Sequence, residues 1–344
     1  MASILTRSEQ KIRLFKTGSD YLLRPLEGDV FSQMSFLYLL EDLRNPVVDF
    51  LMQMVTHFGD EMIFMGVAML FLWCIDKTEG YYILTIGFLG TQINQLLKVL
   101  FRIDRPWVKD PEFTIVESAR EAASGYSFPS GHTQCGVGVY VAIARIAKKR
   151  RLRNVAIAFC VLIPFSRMWL GVHTPLDVGV SFVLASVMVF GLYPLIHKAA
   201  EKPDMMRMIF AVLLIWSLAQ VLFMEFFPFP ADANGAELFS GKKNAYKMLG
   251  AVLGFNIVFE LDQRFIRYEI DGCFWNRAVR FVLGLALSLG VKELSGALFD
   301  LLPGGYAALT GKAFSYMLVV IFAGAVWPMT FKYFKKLEEK WRKP

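Results

Sequence analysis

Long apolar segments alternate with short charged ones along most of the chain. Nine apolar segments approach the roughly 20 residues that a helix needs to cross a hydrocarbon core, so each is predicted to span a membrane. The predicted spans are Glu61–Asp76, Gly80–Phe101, Thr133–Lys148, Asn154–Leu170, Pro175–His197, Met206–Phe227, Ala245–Glu260, Val279–Leu301 and Gly311–Phe331. The preceding segment, Phe31–His57, is apolar on one side but interrupted by charges and by Asn45-Pro46, so interfacial helices are predicted there. The pattern therefore predicts an all-α, polytopic membrane bundle.

Composition supports this prediction and excludes other classes of protein. Hydrophobic residues occupy 55% of the 344 positions and charged residues only 19%, which excludes disordered, collagen-like and disulfide-stapled chains. None of the four cysteines has the paired spacing of a metal site, so neither a zinc site nor a disulfide framework is expected. The first fifteen residues have no apolar stretch before a cleavage site, so no removable signal peptide is predicted.

The net charge of +7 predicts the orientation in the membrane and not an interaction with nucleic acid. Basic residues concentrate in Lys148–Arg153 and in the tail after Phe331, whereas the loop Arg102–His132 is nearly balanced in charge. The positive-inside rule places the two basic segments in the cytoplasm and the long loop on the opposite, non-cytoplasmic face. The number of predicted spans also places the amino terminus on the non-cytoplasmic face. Its basic residues favour the cytoplasmic face instead: Arg7, Lys11, Arg13 and Lys16.

Three predicted helix ends on the non-cytoplasmic face carry ionisable side chains. The three clusters are Lys98 with Arg105; Ser130, Gly131 and His132; and Arg167, His173 and Asp177. Cations near the hydrocarbon boundary are costly unless they pair or line a wet cavity, so three of them together indicate an anionic guest such as a phosphate. Two histidines beside a phosphate supply a nucleophile and a proton donor, and free N–H groups at a helix start add anion binding. Asp177 follows His173 by one helical turn and is placed to orient its imidazole.

Each cluster also has a purely structural interpretation. The segment Thr174-Pro175-Leu176-Asp177 is typical of a helix start with Thr174 as the N-cap, and Ser130 is likewise suited to capping. Lys98 is suited to extend toward the interface as a membrane anchor. The catalytic interpretation therefore depends on the conjunction of all three clusters at one face.

The spacing of these residues resembles the three-part signature of the type 2 phosphatidic acid phosphatase superfamily, at every position and in the same order. The matching segments are Lys98, six residues and Arg105-Pro106; Pro129-Ser130-Gly131-His132; and Ser166-Arg167, five residues, His173, three residues and Asp177. The chain is most similar to membrane lipid phosphate phosphatases, with those of sphingoid-base phosphates as the leading analogue. The resemblance implies a five-helix catalytic core within about residues 58–193.

The resemblance also implies a role for each matched residue. His173 is expected to attack phosphorus and form a phosphohistidine, His132 to protonate the leaving alkoxide, and Asp177 to orient His173. The residues expected to hold the phosphate are Lys98, Arg105, Ser130, Gly131 and Arg167. The family needs no metal and no cofactor, so metal-independent hydrolysis is expected.

The predicted spans and the resemblance together divide the chain into three segments. Residues 1–57 are assigned to an amino-terminal tail with interfacial helices, residues 58–197 to the catalytic core, and residues 198–344 to about four further spans and a basic cytoplasmic tail. The purpose of the last segment is open. Within it Lys292 and Glu293 adjoin, and because neighbours on a helix point about 100° apart we predict that they do not simply pair with each other. A structural polar network, a contact with a lipid head group and a misplaced span boundary are equal alternatives for them.

The signature specifies the reaction more closely than the substrate. A phosphate monoester like sphingosine 1-phosphate or phosphatidic acid is favoured, because sphingoid-base phosphatases share the additional spans and the run from Ser166 to Val178. Undecaprenyl diphosphate and a soluble sugar phosphate, as in glucose-6-phosphatase, are alternatives, and Asp177 favours the lipid branch over the sugar branch. A transport module for lipids or anions is the alternative from outside the enzymes. The expected partners are the phosphorylated lipid and the surrounding membrane lipids.

Overall fold

The structure is a computed structural model that describes residues 30–342 apart from 231–232 and 303. Within these residues the chain forms thirteen α-helices and no strand, which confirms the all-α prediction. The helices are α1 (Val30–Asp42), α2 (Pro46–His57), α3 (Glu61–Leu70), α4 (Lys77–Phe101), α5 (Pro106–Lys109), α6 (Gly131–Ile146), α7 (Arg150–Trp169), α8 (Pro175–Ala200), α9 (Pro203–Phe226), α10 (Gly235–Leu261), α11 (Phe274–Phe299), α12 (Tyr306–Ile321) and α13 (Phe331–Arg342). Single π-helical turns extend three of them: α3 through Ile75, α10 through Ile266 and α12 through Val326.

A helix occupies each of the nine predicted spans, but fewer than nine are long and apolar enough to cross a membrane. Six segments of the described chain meet that condition: Lys77–Lys109, Arg150–Trp169, Pro175–Ala200, Pro203–Phe226, Phe274–Phe299 and Tyr306–Glu339. Helices α2 and α3 meet it only as a pair with a 47° bend between them, which raises the number to at most seven. The prediction of nine spans is therefore not confirmed, and α2, predicted to be interfacial, is part of the bent pair.

The remaining two predicted spans differ from the others in length or charge. Helix α6 has 16 residues, and at about 1.5 Å per residue it is shorter than a hydrocarbon core of about 30 Å. Helix α10 is long enough but carries Glu237, Lys242, Lys243 and Lys247 in its first half. Both helices are nevertheless enclosed by other helices of the bundle: α6 packs on α4, α7 and α8, and α10 packs on α9 and α12.

One hydrophobic cluster extends through both halves of the chain. It includes Trp73 and Tyr82 from the first half and Phe210, Phe255 and Trp327 from the second, all of them buried. Large apolar side chains on the outer surfaces of α8 and α9, such as Val187 and Ile215, are exposed. Exposed apolar surface of this kind is what a lipid-facing helix presents, so the chain is a multi-pass membrane protein.

The turns at one end of the bundle bring four helix ends together. Helix α4 ends at Phe101, because the next residue, Arg102, has a φ of 50° that stops the helix, and α6 begins after Ser130. Helix α7 ends before Gly171, whose φ of +79° lies in the left-handed region that favours glycine. Helix α8 then begins at Pro175. The ends of α4 and α7 therefore face the starts of α6 and α8.

The second half of the chain corrects one prediction. Lys292 Nζ lies 3.2 Å from Glu293 Oε1, so these neighbours do pair with each other. Both side chains lie near the end of α11 and are partly or fully exposed, and the flexible lysine chain bridges the angle between the two positions. The basic residues that opposed the predicted orientation of the amino terminus lie outside the described residues, as does Lys343 in the basic tail.

Candidate active site

His173 occupies the short loop between α7 and α8 and is only 1% exposed. Its Nε2 lies 3.0 Å from Arg105 Nη1, and its Nδ1 lies 3.4 Å from Asp177 Oδ2. Because a guanidinium can only donate hydrogen bonds, Nε2 is the acceptor and the imidazole proton sits on Nδ1, facing Asp177. Burial, followed by the charges of Arg105 and Arg167, holds the pKa of His173 well below its ordinary value. The imidazole is therefore neutral at neutral pH, with a lone pair on Nε2.

Asp177 both caps the start of α8 and contacts His173, the two roles that the sequence left open for it. Its Oδ2 accepts a hydrogen bond from the Thr174 backbone N–H at 2.8 Å, and its own N–H donates to Thr174 Oγ1 at 3.3 Å, which completes a capping box at the start of α8. The same Oδ2 accepts from Ser127 Oγ at 2.6 Å and faces His173 Nδ1. The cap thus fixes the carboxylate in the position that contacts the imidazole.

Two substitutions separate the capping contact from the contact with His173. An asparagine still fits the cap but presents no charge to Nδ1, so Asp177→Asn is expected to lower kcat by about 10²–10³-fold with little loss of stability. Thr174→Ala removes only the reciprocal cap bond and is expected to cost about 1 kcal/mol of stability while turnover stays near the wild-type rate. Thermal unfolding and turnover of both variants check this. Equal losses of kcat in the two variants would contradict an orienting role for Asp177.

Arg105 and Lys98 are held by backbone carbonyl groups of the loop before α6 and, for Arg105, of the loop before α8 as well. Arg105 donates from Nε to Gly125 O at 3.0 Å, from Nη2 to Ser124 O at 2.8 Å and from Nη1 to Val172 O at 2.9 Å. Lys98 Nζ donates to the carbonyl oxygens of Tyr126 and Ser127. Both side chains are buried, so Lys98 is not the interfacial anchor that one interpretation predicted. Each side chain is therefore fixed in place by neutral acceptors, and within the described residues neither forms an ion pair.

Arg167, near the end of α7, is fully buried but only partly hydrogen-bonded. Its Nη1 donates to Thr56 Oγ1 at 2.8 Å, whereas Nε and Nη2 have no partner within the described part of the chain. A buried polar group without a partner is costly, and a buried charge without one is more so. The unpaired donors therefore indicate a position for an anion that supplies the missing acceptors.

The start of α6 adds backbone donors to these cations. Ser130 is the N-cap of α6, as one interpretation of the sequence predicted. Its Oγ accepts a weak hydrogen bond from Thr133 N at 3.4 Å. Its own N–H donates to the Asp177 carbonyl at 3.1 Å, which ties the start of α6 to α8. The N–H groups of Gly131 and His132 belong to the first turn, where a helix offers no internal acceptor. They carry the partial positive charge of the helix start toward the site.

The structure brings all eight residues that the sequence selected to the same end of the bundle, and it adds three more. Ser127 contacts both Asp177 and His173, Thr56 holds Arg167, and Asp60 lies 2.8 Å from His132 Nε2. Thr56 and Asp60 come from the α2–α3 region, far in sequence from their partners. A threonine and an aspartate beside helix ends are ordinary caps in sequence, so no local signal identifies them.

Cationic side chains, and not carboxylate ligands, dominate the charge of this site. Among the described residues no group of three or more His, Cys, Asp or Glu side chains is arranged to hold a metal ion. The buried cations Lys98, Arg105 and Arg167 surround the neutral His173. The arrangement is therefore suited to bind an anion next to a nucleophilic imidazole nitrogen.

Comparison with known proteins gives two family matches and several relatives. Residues 79–201 match the PAP2 superfamily, and residues 246–340 match the PAP2 superfamily phosphatase transmembrane extension. The first match contains all eight residues selected from the sequence. No solved structure matches the chain at a significant level.

Three of the relatives carry the names of phosphatases. The chain is 29% identical over 150 residues to undecaprenyl-diphosphatase BcrC of Bacillus subtilis, covering 42% of this chain and 74% of that protein. It is 25% identical over 190 residues to a probable sphingosine-1-phosphate phosphatase of Dictyostelium discoideum, covering 51% of this chain and 45% of that protein. It is also 24% identical over 148 residues to rat sphingosine-1-phosphate phosphatase 1, covering 41% of this chain and 33% of that protein, so it spans less than half of either sphingosine-1-phosphate phosphatase. The chain therefore contains a PAP2 superfamily domain over residues 79–201, followed by the transmembrane extension of PAP2 superfamily phosphatases over residues 246–340.

Proposed function

We propose that the chain is a membrane phosphatase that hydrolyses a lipid phosphate monoester through a phosphohistidine on His173, without a metal. The proposal rests on two features at the same end of the bundle. Asp177 orients the neutral imidazole of His173, and the buried Arg167 has two hydrogen-bond donors without partners among the described residues. An anion bound to those donors stabilises a guanidinium that is otherwise incompletely solvated. A phosphate has the charge and the oxygen geometry to do so.

The phosphate is held by groups from α4, α6 and α7 and from the loop after α4. Arg167 contributes its unpaired Nε and Nη2, and the N–H groups at the start of α6 contribute backbone donors. Lys98 and Arg105 add positive charge from fixed positions. Together these groups stabilise the equatorial oxygens of the transition state, which carry the developing charge.

The reaction proceeds in two displacements. The substrate first displaces Arg105 Nη1 from Nε2 of His173, because this lone pair must be free to attack phosphorus. As the N–P bond forms and the P–O ester bond breaks, Asp177 stabilises the charge on the imidazole, and His132 gives its proton to the leaving oxygen. Water then attacks the phosphohistidine while His132 takes a proton from it, and the N–P bond breaks to release phosphate.

The position of the site supports a lipid substrate. The site lies at the ends of membrane-crossing helices, so a head group reaches it while the acyl or prenyl chain stays in hydrocarbon. The basic segment Lys148–Arg153 lies at the opposite end of α6 and α7, which supports a site on the non-cytoplasmic face. Residues 58–197 remain our assignment for the catalytic core. The Bacillus relative makes undecaprenyl diphosphate the second candidate substrate.

A substrate panel tests the proposal. Purified protein in detergent is assayed for phosphate release from sphingosine 1-phosphate, phosphatidic acid, undecaprenyl diphosphate and glucose 6-phosphate, each with and without EDTA. We expect release from at least one lipid, no more than trace release from glucose 6-phosphate, and no effect of EDTA. Release that EDTA abolishes and Mg²⁺ restores would contradict metal independence. Binding of phospholipid without release from any substrate would favour the lipid or anion transport alternative.

A further inference from the structure

Asp60 stands at the position before α3 that normally caps a helix, but its side chain makes no capping hydrogen bond. Its two oxygens instead face two histidines. Oδ1 lies 2.8 Å from His132 Nε2, and Oδ2 lies 2.9 Å from His57 Nδ1. An aspartate at an N-cap usually bonds the N–H groups of the first turn. Here the Asp60 carboxylate does not cap the helix and lies between the imidazoles of His132 and His57.

The three side chains form a line from the site toward the surface. Exposure of the side chains rises from 17% for His132 through 35% for Asp60 to 53% for His57. His57, on α2, holds the outer oxygen and so restricts rotation of the carboxylate. The inner oxygen is then presented to His132 in one orientation.

The charges around His132 explain why a carboxylate is needed there. Burial, followed by the charges of Arg167 on α7 and Arg105 in the loop after α4, lowers the pKa of His132 below its ordinary value. The neutral His173 also faces it from the site. Glu61 follows Asp60, but it interacts with Cys135 on α6 and Lys247 on α10. Among the described residues Asp60 is the carboxylate in ion-pair contact with His132. It therefore supplies the opposing negative charge.

We propose that Asp60 is a positioning residue for the general acid: its carboxylate, 2.8 Å from Nε2 of His132, stabilises the protonated imidazole and leaves Nδ1 to exchange a proton with the substrate. The inference rests on the proposed function, in which His132 protonates the leaving oxygen. During the first displacement the Nδ1 proton moves to the ester oxygen as the P–O bond breaks. During the second, Nδ1 takes a proton from the attacking water. Asp60 remains a carboxylate throughout, and no proton is gained or lost over the cycle.

Asp60→Asn tests the charge while the size and polarity of the side chain are kept. We expect kcat for the best lipid of the panel to fall by about 10²-fold, with KM changed by less than threefold. We also expect the alkaline limb of the kcat–pH profile to move to lower pH, because the protonated form of His132 has lost its stabilising charge. Asp60→Glu is expected to recover part of the rate. Asp49→Asn is the matched control, since Asp49 binds Trp169 Nε1 and is expected to leave turnover unchanged.

A second measurement separates positioning from a structural role. In a His132→Ala background, Asp60→Asn is expected to cause no further loss of rate, because the residue acts through His132. A full additional loss in that background, or an unchanged pH profile in Asp60→Asn, would overturn the inference. If Asp60→Asn kept full activity while His173→Ala had none, the inference would fail and the proposed function would stand. If the wild type released no phosphate from any lipid, both would fail.

Discussion

Replacing His173 with alanine is expected to lower kcat by about 10⁴-fold or more, because the reaction loses the atom that attacks phosphorus. Arg105 donates to Nε2 of His173 and Asp177 faces Nδ1, so the lone pair is on the nitrogen that faces the phosphate-binding cations. KM is expected to change much less than kcat, since the cations that bind the phosphate remain. Phosphate release from the best lipid of the panel measures both constants.

His197→Ala is the matched control for this prediction. His197 lies near the other end of α8, where it contacts the Tyr193 carbonyl and Glu79. Turnover of this variant is expected to stay near the wild-type rate. A His173→Ala protein that is folded and retains more than a tenth of the wild-type kcat would show that another group attacks phosphorus.

Arg167→Met is expected to lower kcat/KM by about 10²–10³-fold without lowering stability. The activity falls because the phosphate loses the two unpaired donors, Nε and Nη2. The stability does not fall, because an apolar side chain of similar length replaces a buried, incompletely paired cation. Inorganic phosphate is expected to raise the melting temperature of the wild type and to have less effect on the variant. Arg167→Lys is expected to recover little of the lost kcat/KM, since an ammonium group cannot reproduce the planar arrangement of donors in a guanidinium.

Turnover and thermal unfolding of Arg167→Met decide between a functional and a structural role. Arg145→Ala is the control: Arg145 lies over the Tyr193 ring at 4.0 Å, toward the end of α6 away from the site. It is expected to keep the wild-type kcat/KM. A large loss of stability in Arg167→Met with unchanged kcat/KM would show that the arginine serves the fold and not the phosphate.

The helices were predictable from hydropathy because an apolar stretch in a membrane protein has few alternatives to a helix. Helix α8 illustrates this, since Pro175–His197 was predicted and Pro175–Ala200 is observed. The number of spans was not predictable in the same way. Whether a 16-residue helix such as α6 crosses, or only enters, a bilayer depends on its neighbours and not on its own composition.

The site was predictable where its residues lie next to helix ends in sequence. His173 and Asp177 are four residues apart, and the start of α8 brings both onto one face. Thr56 was not predictable, because it reaches Arg167 across 111 positions through the packing of α2 on α7. Asp60 was missed for a second reason: in sequence it has the appearance of a helix cap, and only the structure shows that it does not act as one.

The most direct test of the account is to trap the phosphoryl group on the enzyme. Wild-type protein is mixed with the best lipid substrate carrying a labelled phosphate, quenched in base within one turnover and digested, and the labelled peptide is identified by mass spectrometry. The account predicts an acid-labile, base-stable phosphoryl group on His173, and no label in His173→Ala. A label on a different residue, or one that persists in His173→Ala, would contradict the phosphohistidine mechanism.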